Sequence, residues 1–560
     1  MRIHIIYQNS IITKKKLRTA PLGPTVPHAA LKPCLARKSV PAPIVDLIDD
    51  MYNNCKTNIK TKDGIGVEIT IRRGVKQGDP LSPLLFNLCL EPLLEAIEEQ
   101  TGSINVSENR KVLVLAFADD VVLLGADARK GQHQVDVLID YMQGLEMIIS
   151  REKNQTFEVV AKKDTWFISE PELKIGDNSI PTVDPDEAFR YLGAKKGPWK
   201  GVHCGIIVPE LLSVVKRVRK LSLKPAQKLE LLIKYIFPRY IYHLLVSPPS
   251  DTVLKFLDSE VRQDIKITLH VMPSTATGFF YAPKDCGGLG LPRFEHIAKL
   301  GTLKSAIKIT NSIDPAVACL IIDECNKRLK TMANSLRINW PASLEDIEKA
   351  RKRLRNAHIN QWAELRSKRK GVPDFPKNKT GNVWLEEHSL LKPSRFTDAL
   401  RLRTNTFGTR SVLVRANKSI DVMCRKCRAQ PETLAHILGL CQYTKGLKIK
   451  KHDEVKSLLA ERLRSKNKNE VFIEPKVKAG GSLYKPDLVV KNGERVLVID
   501  VTVRYENKDY LAKAEKEKIN KYRPCLKALK DLFNASGGEV LPVVLGSRGA
   551  ITLNTERVLK

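Results

Sequence analysis

The sequence has no apolar run long enough to span a bilayer and no recognisable secretory signal, so neither a helical membrane protein nor a secreted one is expected. Its eleven cysteines are scattered over 560 residues, which does not make a disulfide framework, and only three of them cluster with metal-ligand spacing. A reducing compartment and nuclear partners follow as expectations. Acid is missing as well: residues 1–40, Pro-rich and basic with no clear period, contain no Asp or Glu. What the chain has instead is positive charge, a formal net +32 and a sequence pI near 9.6. That excess attracts polyanions. The runs Lys14-Lys15-Lys16, Arg351 to Arg355 and Lys445 to Lys451 spread it along the chain, which suits a nucleic-acid track better than a single localisation signal. The length allows about three to five domains.

Ordered structure is expected from near Ile44, where Leu47, Ile48 and Met51 give a short helical pattern. In Arg73-Gly74-Val75-Lys76-Gln77-Gly78-Asp79-Pro80-Leu81-Ser82-Pro83, Gly78 and Pro80 interrupt regular structure, Ser82 can cap, and Pro83 fits a first helical turn. Leu84, Leu85, Leu88, Leu90, Leu93, Leu94 and Ile97 then make a strongly apolar helix. Further on, Val112 to Ala118 and Val121 to Leu124 are β-rich apolar runs flanking Asp119 and Asp120, which predicts a buried hairpin with both carboxylates at its tip. Adjacent carboxylates repel, and a pair of Mg²⁺ ions would relieve them. A loop before a core helix and a plain Asp-Asp turn are the bland alternatives.

Together these segments resemble reverse transcriptases, above all those of non-LTR retrotransposons. Gly74 to Asn87 matches the family's template-contacting loop, with Gln77 and Gly78 at the nucleotide, and Phe117-Ala118-Asp119-Asp120 matches its catalytic turn. Gly144-Leu145 followed by Lys153, the Tyr191-Leu192-Gly193 strand that grips the primer, a thumb-like helical stretch to about residue 275, and Gly287-Gly288-Leu289-Gly290 extend the resemblance over residues 40–300. One departure stands out. The family carries a third metal-binding Asp on an upstream strand, in a block that corresponds here to Gly23-Pro24-Thr25-Val26-Pro27-His28, and no Asp occurs there or before it. The nucleotide-clamping fingers would lie before Met1. Polymerase activity of this polypeptide is therefore expected to be impaired.

A second chemistry lies at Cys424-x2-Cys427-x8-His436-x4-Cys441, three thiolates and an imidazole at a spacing that can meet at tetrahedral Zn²⁺. So short a segment has little core, and metal binding would supply much of its folding energy. Just before it, Phe396 to Asn405 resembles the Arg-rich helix preceding the knuckle in site-specific non-LTR elements. Arg401 and Arg403 are read there as phosphate contacts, with a solvated face as the alternative.

The third is Lys485-Pro486-Asp487-x12-Asp500. Leu488 to Val490 and Val496 to Val503 read as strands joined at Asn492-Gly493, a strong hairpin signal. With those two as the loop, Asp487 falls opposite Val498, and Asp500 lies two residues along on the same face, roughly 7–8 Å away. Leu497, Ile499, Val501 and Val503 then point the other way, into a core. Asn507 to Tyr522 reads as a charged helix whose stripe Leu511, Ala514, Lys518 and Tyr522 faces inward, and Glu506 is a further candidate for orienting water or metal. A snorkelling Lys and a half-buried Tyr are the alternative. The pattern resembles the Pro-Asp…Asp/Glu-x-Lys nucleases with Thr502 at the usual Lys position, and retrotransposon endonucleases carry a Lys and a Tyr on this helix, as Lys518 and Tyr522 would be.

Knuckle followed by nuclease is similar to the ribosomal-DNA-inserting R-two group of type-1 elements, whose N-terminal zinc fingers have no counterpart here. The resemblance implies target-primed reverse transcription in the nucleus after cytoplasmic translation, with Mg²⁺ (or Mn²⁺) and Zn²⁺ as cofactors, and with element RNA, genomic (ribosomal) target DNA and dNTPs as partners. The expected architecture is multidomain α+β: a remnant at 1–40, polymerase palm at 41–200, thumb at 201–300, helical linker at 301–415, CCHC zinc knuckle at 416–455, and an α/β restriction-endonuclease-like domain at 456–560. The competing expectation is a non-enzymatic nucleic-acid-binding relic or co-opted fragment.

Overall fold

The computed structural model describes residues 2–8 and 26–559, apart from 63, 77, 102–103, 108–109, 119, 146, 148, 150–153, 164, 200, 203–206, 319, 322, 366–369, 378 and 466–468. Two units form, residues 1–204 with 312–320 and residues 205–311 with 321–560.

In the first unit, strand β1 (Arg2–Gln8) is followed by helices α1 (His28–Arg37), α2 (Ala42–Asn53) and α3 (Ser82–Thr101). Next come β2 (Val114–Phe117), β3 (Asp120–Gly125), α4 (Ala128–Gly144), β4 (Gln155–Lys162), β5 (Thr165–Ser169), and the hairpin β6 (Phe189–Tyr191) and β7 (Ala194–Gly197). Antiparallel pairing gives a five-stranded sheet in the order β2-β3-β1-β4-β5. The apolar helix read from the sequence is α3, which buries Leu85, Phe86, Cys89, Leu90, Leu93 and Ile97 and leaves Leu84 exposed. They share a core with Leu138 and Met142 of α4 and with Val121 and Leu123 of β3. By strand alternation Val122 faces the other way, against Phe157 and Phe189.

Residues 1–40, expected to be irregular, contribute both β1 and α1. The sequence of β1, Arg-Ile-His-Ile-Ile-Tyr-Gln, is β-prone, and pairing on both edges offsets the lack of a pattern.

The second unit runs from α5 (Ile207–Lys220) through α6 (Phe294–Thr310), α7 (Leu344–Ala363), α8 (Pro393–Arg403) and α9 (Lys445–Arg464). It ends with β8 (Asn469–Ile473), β9 (Leu488–Asn492), β10 (Arg495–Arg504), α10 (Tyr510–Tyr522), α11 (Cys525–Phe533) and β11 (Gly537–Gly546). The sheet order is β8-β9-β10-β11, antiparallel except for the parallel pair β10–β11, which α10 and α11 connect. β10 is central, and both of its faces are buried. Val496 and Val498 pack against Tyr522, Cys525 and Leu529, while Ile499 and Val501 pack against Leu459 and Ala460 of α9.

The boundaries expected at 300, 415 and 455 are not domain boundaries here. One core contains Leu211, Phe279, Trp362, Phe375, Leu400, Leu511 and Val544, joining the segments expected as thumb, linker and nuclease. The last boundary falls inside α9, which starts four residues after Cys441 and runs on to the C-terminal sheet.

Candidate functional site

Three sites were expected, and the structure treats them unequally. At the Asp pair, Phe117 faces Asp120, and Ala118 is held at φ +51. A left-handed alanine is costly and is a feature of functional turns. Asp119 itself lies outside the described residues, as do Gln77 and Lys153. Asp120 is half-buried and shares the parity of Val122, on the side of Tyr191, whose phenol is pushed up by burial and by the Asp120 charge. Of Tyr191-Leu192-Gly193, expected as a strand, Tyr191 ends β6 and pairs with Ala194, while Leu192 and Gly193 are the β6–β7 turn, at φ 46 and 78. The hairpin is not buried throughout: β2 is a sheet edge, and Phe117 is 65% exposed. Gly78 is exposed at φ +92, in a loop fixed by Leu81 N–H donating to Asp79 Oδ1 and by Ser82 Oγ donating to the Lys76 carbonyl.

Cys424, Cys427, His436 and Cys441 come together, with donor atoms all within 4.8 Å of one another and His436 Nε2 3.2 Å from Cys427 Sγ. Amide hydrogens of Cys427 and Lys426 hold the Cys424 thiol down at about 6, which favours the thiolate a metal needs. The turn is braced by buried Glu432, which accepts from the Arg410 and Arg425 amides and pairs with the Arg425 guanidinium. Thiolate and imidazole donors at these separations suit a tetrahedral ion of soft-to-borderline character.

At the nuclease-like site, Asn492 pairs with Arg495, so the hairpin loop is Gly493-Glu494, one residue later than expected, with Gly493 at φ +57 in the first loop position. The register shifts by two, and one step beyond the Leu488–Ile499 pair sets Asp487 beside Asp500 rather than diagonal to it. The Val501 amide donates to Asp487 Oδ2 at 2.7 Å. Asp500 is buried at 3% exposure, with Lys518 Nζ 2.5 Å from its Oδ2 and no well-directed hydrogen bond to that oxygen. Tyr522 donates to the Lys485 carbonyl at 3.1 Å, and its phenol is pushed up by burial and by Asp500. Burial and the Asp500 charge also raise the Asp487 carboxyl. Two crowded, partly desolvated carboxylates fit a divalent cation. Sequence reasoning missed His452: its Nε2 lies 3.1 Å from both Asp487 Oδ2 and the Val501 carbonyl. His452 shares the inward stripe of α9 with Val455 and Leu459, and a histidine on that stripe was the available signal.

Two expected residues serve the core instead. Arg403, read as a phosphate contact, is fully buried; it donates to Asn382 Oδ1 at 2.6 Å and to the Gly381 carbonyl, and stacks 4.0 Å over Phe375. Burial lowers its guanidinium to about 9, against the pull of Glu506. Gly287 makes room for it, since a Cβ there would stand 2.6 Å from Arg403 Nη1. Arg401 stays partly exposed and donates to the His270 carbonyl. Glu506 is equally buried and accepts from the Arg548 and Ala550 amides and from Arg548 Nε, leaving it no part in orienting water or metal.

Residues 24–195 match the family model "Reverse transcriptase (RNA-dependent DNA polymerase)". The chain is 28% identical over 86% of its length to the Pol polyprotein of a type-1 retrotransposable element R2 of Nasonia vitripennis. It is 27% identical over 91% to that of the type-2 element R2DM of Drosophila melanogaster. This chain is a homologue of the R2 Pol polyproteins. It spans about half the length of those two relatives, 45% and 48%, and 72% of an R2 polyprotein from Popillia japonica at 28% identity. A telomerase structure from Candida albicans covers 65% of this chain and 48% of its own at 10% identity, with a TM-score of 0.30, too slight a likeness to argue from.

Proposed function

We propose that this R2 homologue acts in target-primed reverse transcription, joining a reverse-transcriptase palm to a metal-dependent endonuclease that nicks target DNA in the nucleus. The observation that carries the nuclease reading is the convergence of Asp487, Asp500, Lys518 and Tyr522 at one end of one sheet. Asp487 and Asp500 would hold Mg²⁺ or Mn²⁺, which supplies positive charge to the phosphoryl oxygens. Lys518 is placed to donate to a scissile phosphate once the cation takes its partner Asp500, and Tyr522 fixes the Lys485-Pro486-Asp487 turn. Element RNA, ribosomal target DNA and dNTPs enter as partners through the family likeness. Nicking of supercoiled plasmid with Mg²⁺ tests the reading; tight DNA binding with no nicking would refute it and leave a binding protein.

At the polymerase site we infer a shortage of ligands. Neither strand that flanks β3 carries an acid, since β1 and β2 contain no Asp or Glu. Primer extension by this polypeptide on an RNA template is expected to fall below detection; a dNTP- and Mg²⁺-dependent product would overturn this.

The Cys/His cluster is read as structural zinc, supported by its donor set and the depressed Cys424 thiol. Elemental analysis is expected to find about one zinc per chain. Cys427→Ser should bring that near zero and open residues 410–445 to protease, since structural zinc contributes on the order of 10 kcal/mol to such segments. Unchanged zinc content and cleavage would count against it.

A further inference from the structure

The basic run Arg351 to Arg355 plays no part in the sites above. Arg353 is tied to the Leu336 and Arg337 carbonyls, but Arg351 and Arg355 line a cavity of about 460 Å³ between α6 and α7. Its apolar lining includes Leu245, Leu300 and Leu354, and Gly301 admits Leu245, whose side chain would lie 2.1 Å from an added Cβ. An aromatic ladder enters one end. Tyr281 and His358 are 5.2 Å apart between ring centroids, and His358 and His296 are stacked at 5.3 Å. Lys304 adds further charge, Arg293 is paired with Glu295, and no Asp or Glu is among the described residues that line the cavity.

We propose that this cavity binds one nucleotide of a single-stranded polynucleotide, its base stacked at the His296 end and its phosphates on Lys304, Arg351 and Arg355. The volume lies within the roughly 300–1,000 Å³ of small-molecule sites. Arg293 is held by buried Glu295 and Asp258, which leaves Lys304, Arg351 and Arg355 as the lining cations that can meet an anion. Arg351 and Arg355 are each about half exposed, and their pairs with Glu348 and Asp285 are surface pairs that a phosphate can displace. Burial and the Arg293 charge hold His296 and His358 at about 3 and about 4, so both rings stack uncharged at neutral pH. A base must be unpaired to enter, and base–aromatic stacking is sequence-tolerant. The site is separate from the nuclease and polymerase residues and stands if either of those readings fails.

The test uses the full chain and fluorescence anisotropy with labelled oligo-dT and oligo-U of about 20 nucleotides, plus a duplex of about the same length, across a KCl series. The triple variant Lys304→Ala/Arg351→Ala/Arg355→Ala is expected to weaken single-strand binding at least about tenfold. It should flatten the log–log salt dependence by about 2, from about 0.7 per phosphate contact. A control triple on exposed lysines, Lys330→Ala/Lys349→Ala/Lys352→Ala, should stay within about twofold. His296→Ala should weaken binding severalfold with the salt slope unchanged, which separates stacking from charge. Loss on only one of oligo-dT and oligo-U would support the site and assign the strand as DNA or RNA. Equal losses from the two triples, or a duplex weakened as much as the single strands, would overturn the proposal.

Discussion

Asp500→Ala is expected to cut Mg²⁺-dependent nicking by at least about 10³-fold, or about 4 kcal/mol at 1.36 kcal/mol per decade, with duplex binding retained. Asp500 has the most enclosed carboxylate of the constellation. It sits on the face of β10 covered by α10 and α11, and it pairs with Lys518. Removing it leaves Asp487 as a single carboxylate, already held by the Val501 amide and His452, with too little charge to keep a divalent ion at the phosphate. Lys518→Ala separates two roles. If Lys518 stabilises charge at the phosphate, nicking falls about 10²-fold or more at saturating Mg²⁺. If it only neutralises Asp500 in the metal-free protein, nicking survives and Mg²⁺ binds more tightly. Full nicking by Asp500→Ala would move the active site away from this sheet.

The second large effect concerns stability. Glu506 and Arg548 are both fully buried, with Arg548 Nε 3.2 Å from Glu506 Oε2, and Arg548 lies 4.8 Å over the Tyr505 ring. Removing one partner of such a pair strands the other's charge away from water, at a cost of about 3–5 kcal/mol. Arg548→Ala or Glu506→Gln should therefore lower the urea midpoint of the second unit strongly, while Arg401→Ala, at a partly exposed position, should cost under about 1 kcal/mol. Arg403→Ala belongs with the first group: a loss of stability with an unchanged salt slope of DNA binding is expected. Were that slope to drop by about one contact with stability intact, Arg403 would be a phosphate ligand after all.

The grouping of Asp487, Asp500, Lys518 and Tyr522 is legible in the sequence because its parts follow simple periods. Alternation along Val496 to Val503 put Asp500 opposite in facing to Ile499 and Val501, and helical spacing put Lys518 and Tyr522 on the stripe of Leu511 and Ala514. The Cys/His spacing needed only short-range geometry. The register error came from taking Asn492-Gly493 as the loop, when the glycine at the first loop position was enough to turn the chain. Arg403 was misread because charge was weighed above position: Phe396, Leu400 and Arg403 share one buried stripe of α8. His452 was missed for a different reason. It meets Asp487 across 35 residues of sequence, and no local pattern carries a contact of that range. The single core across the segments expected as thumb, linker and nuclease is hidden likewise, since it depends on which exposed-looking Phe and Trp meet.

Helix α9 has a consequence for how this protein can change. Its 20 residues, about 30 Å at 1.5 Å each, connect the Cys/His cluster to the C-terminal sheet without a break. A rod of this kind fixes phase as well as distance. One residue inserted between His452 and Leu459 would turn the two ends of the helix by about 100° relative to each other, swinging His452 away from Asp487 while every side chain of both sites remained present. Length variation among related chains should therefore gather before Cys424 or after Arg464, and recombinants spliced within the rod should inherit two intact sets of residues that no longer face each other correctly.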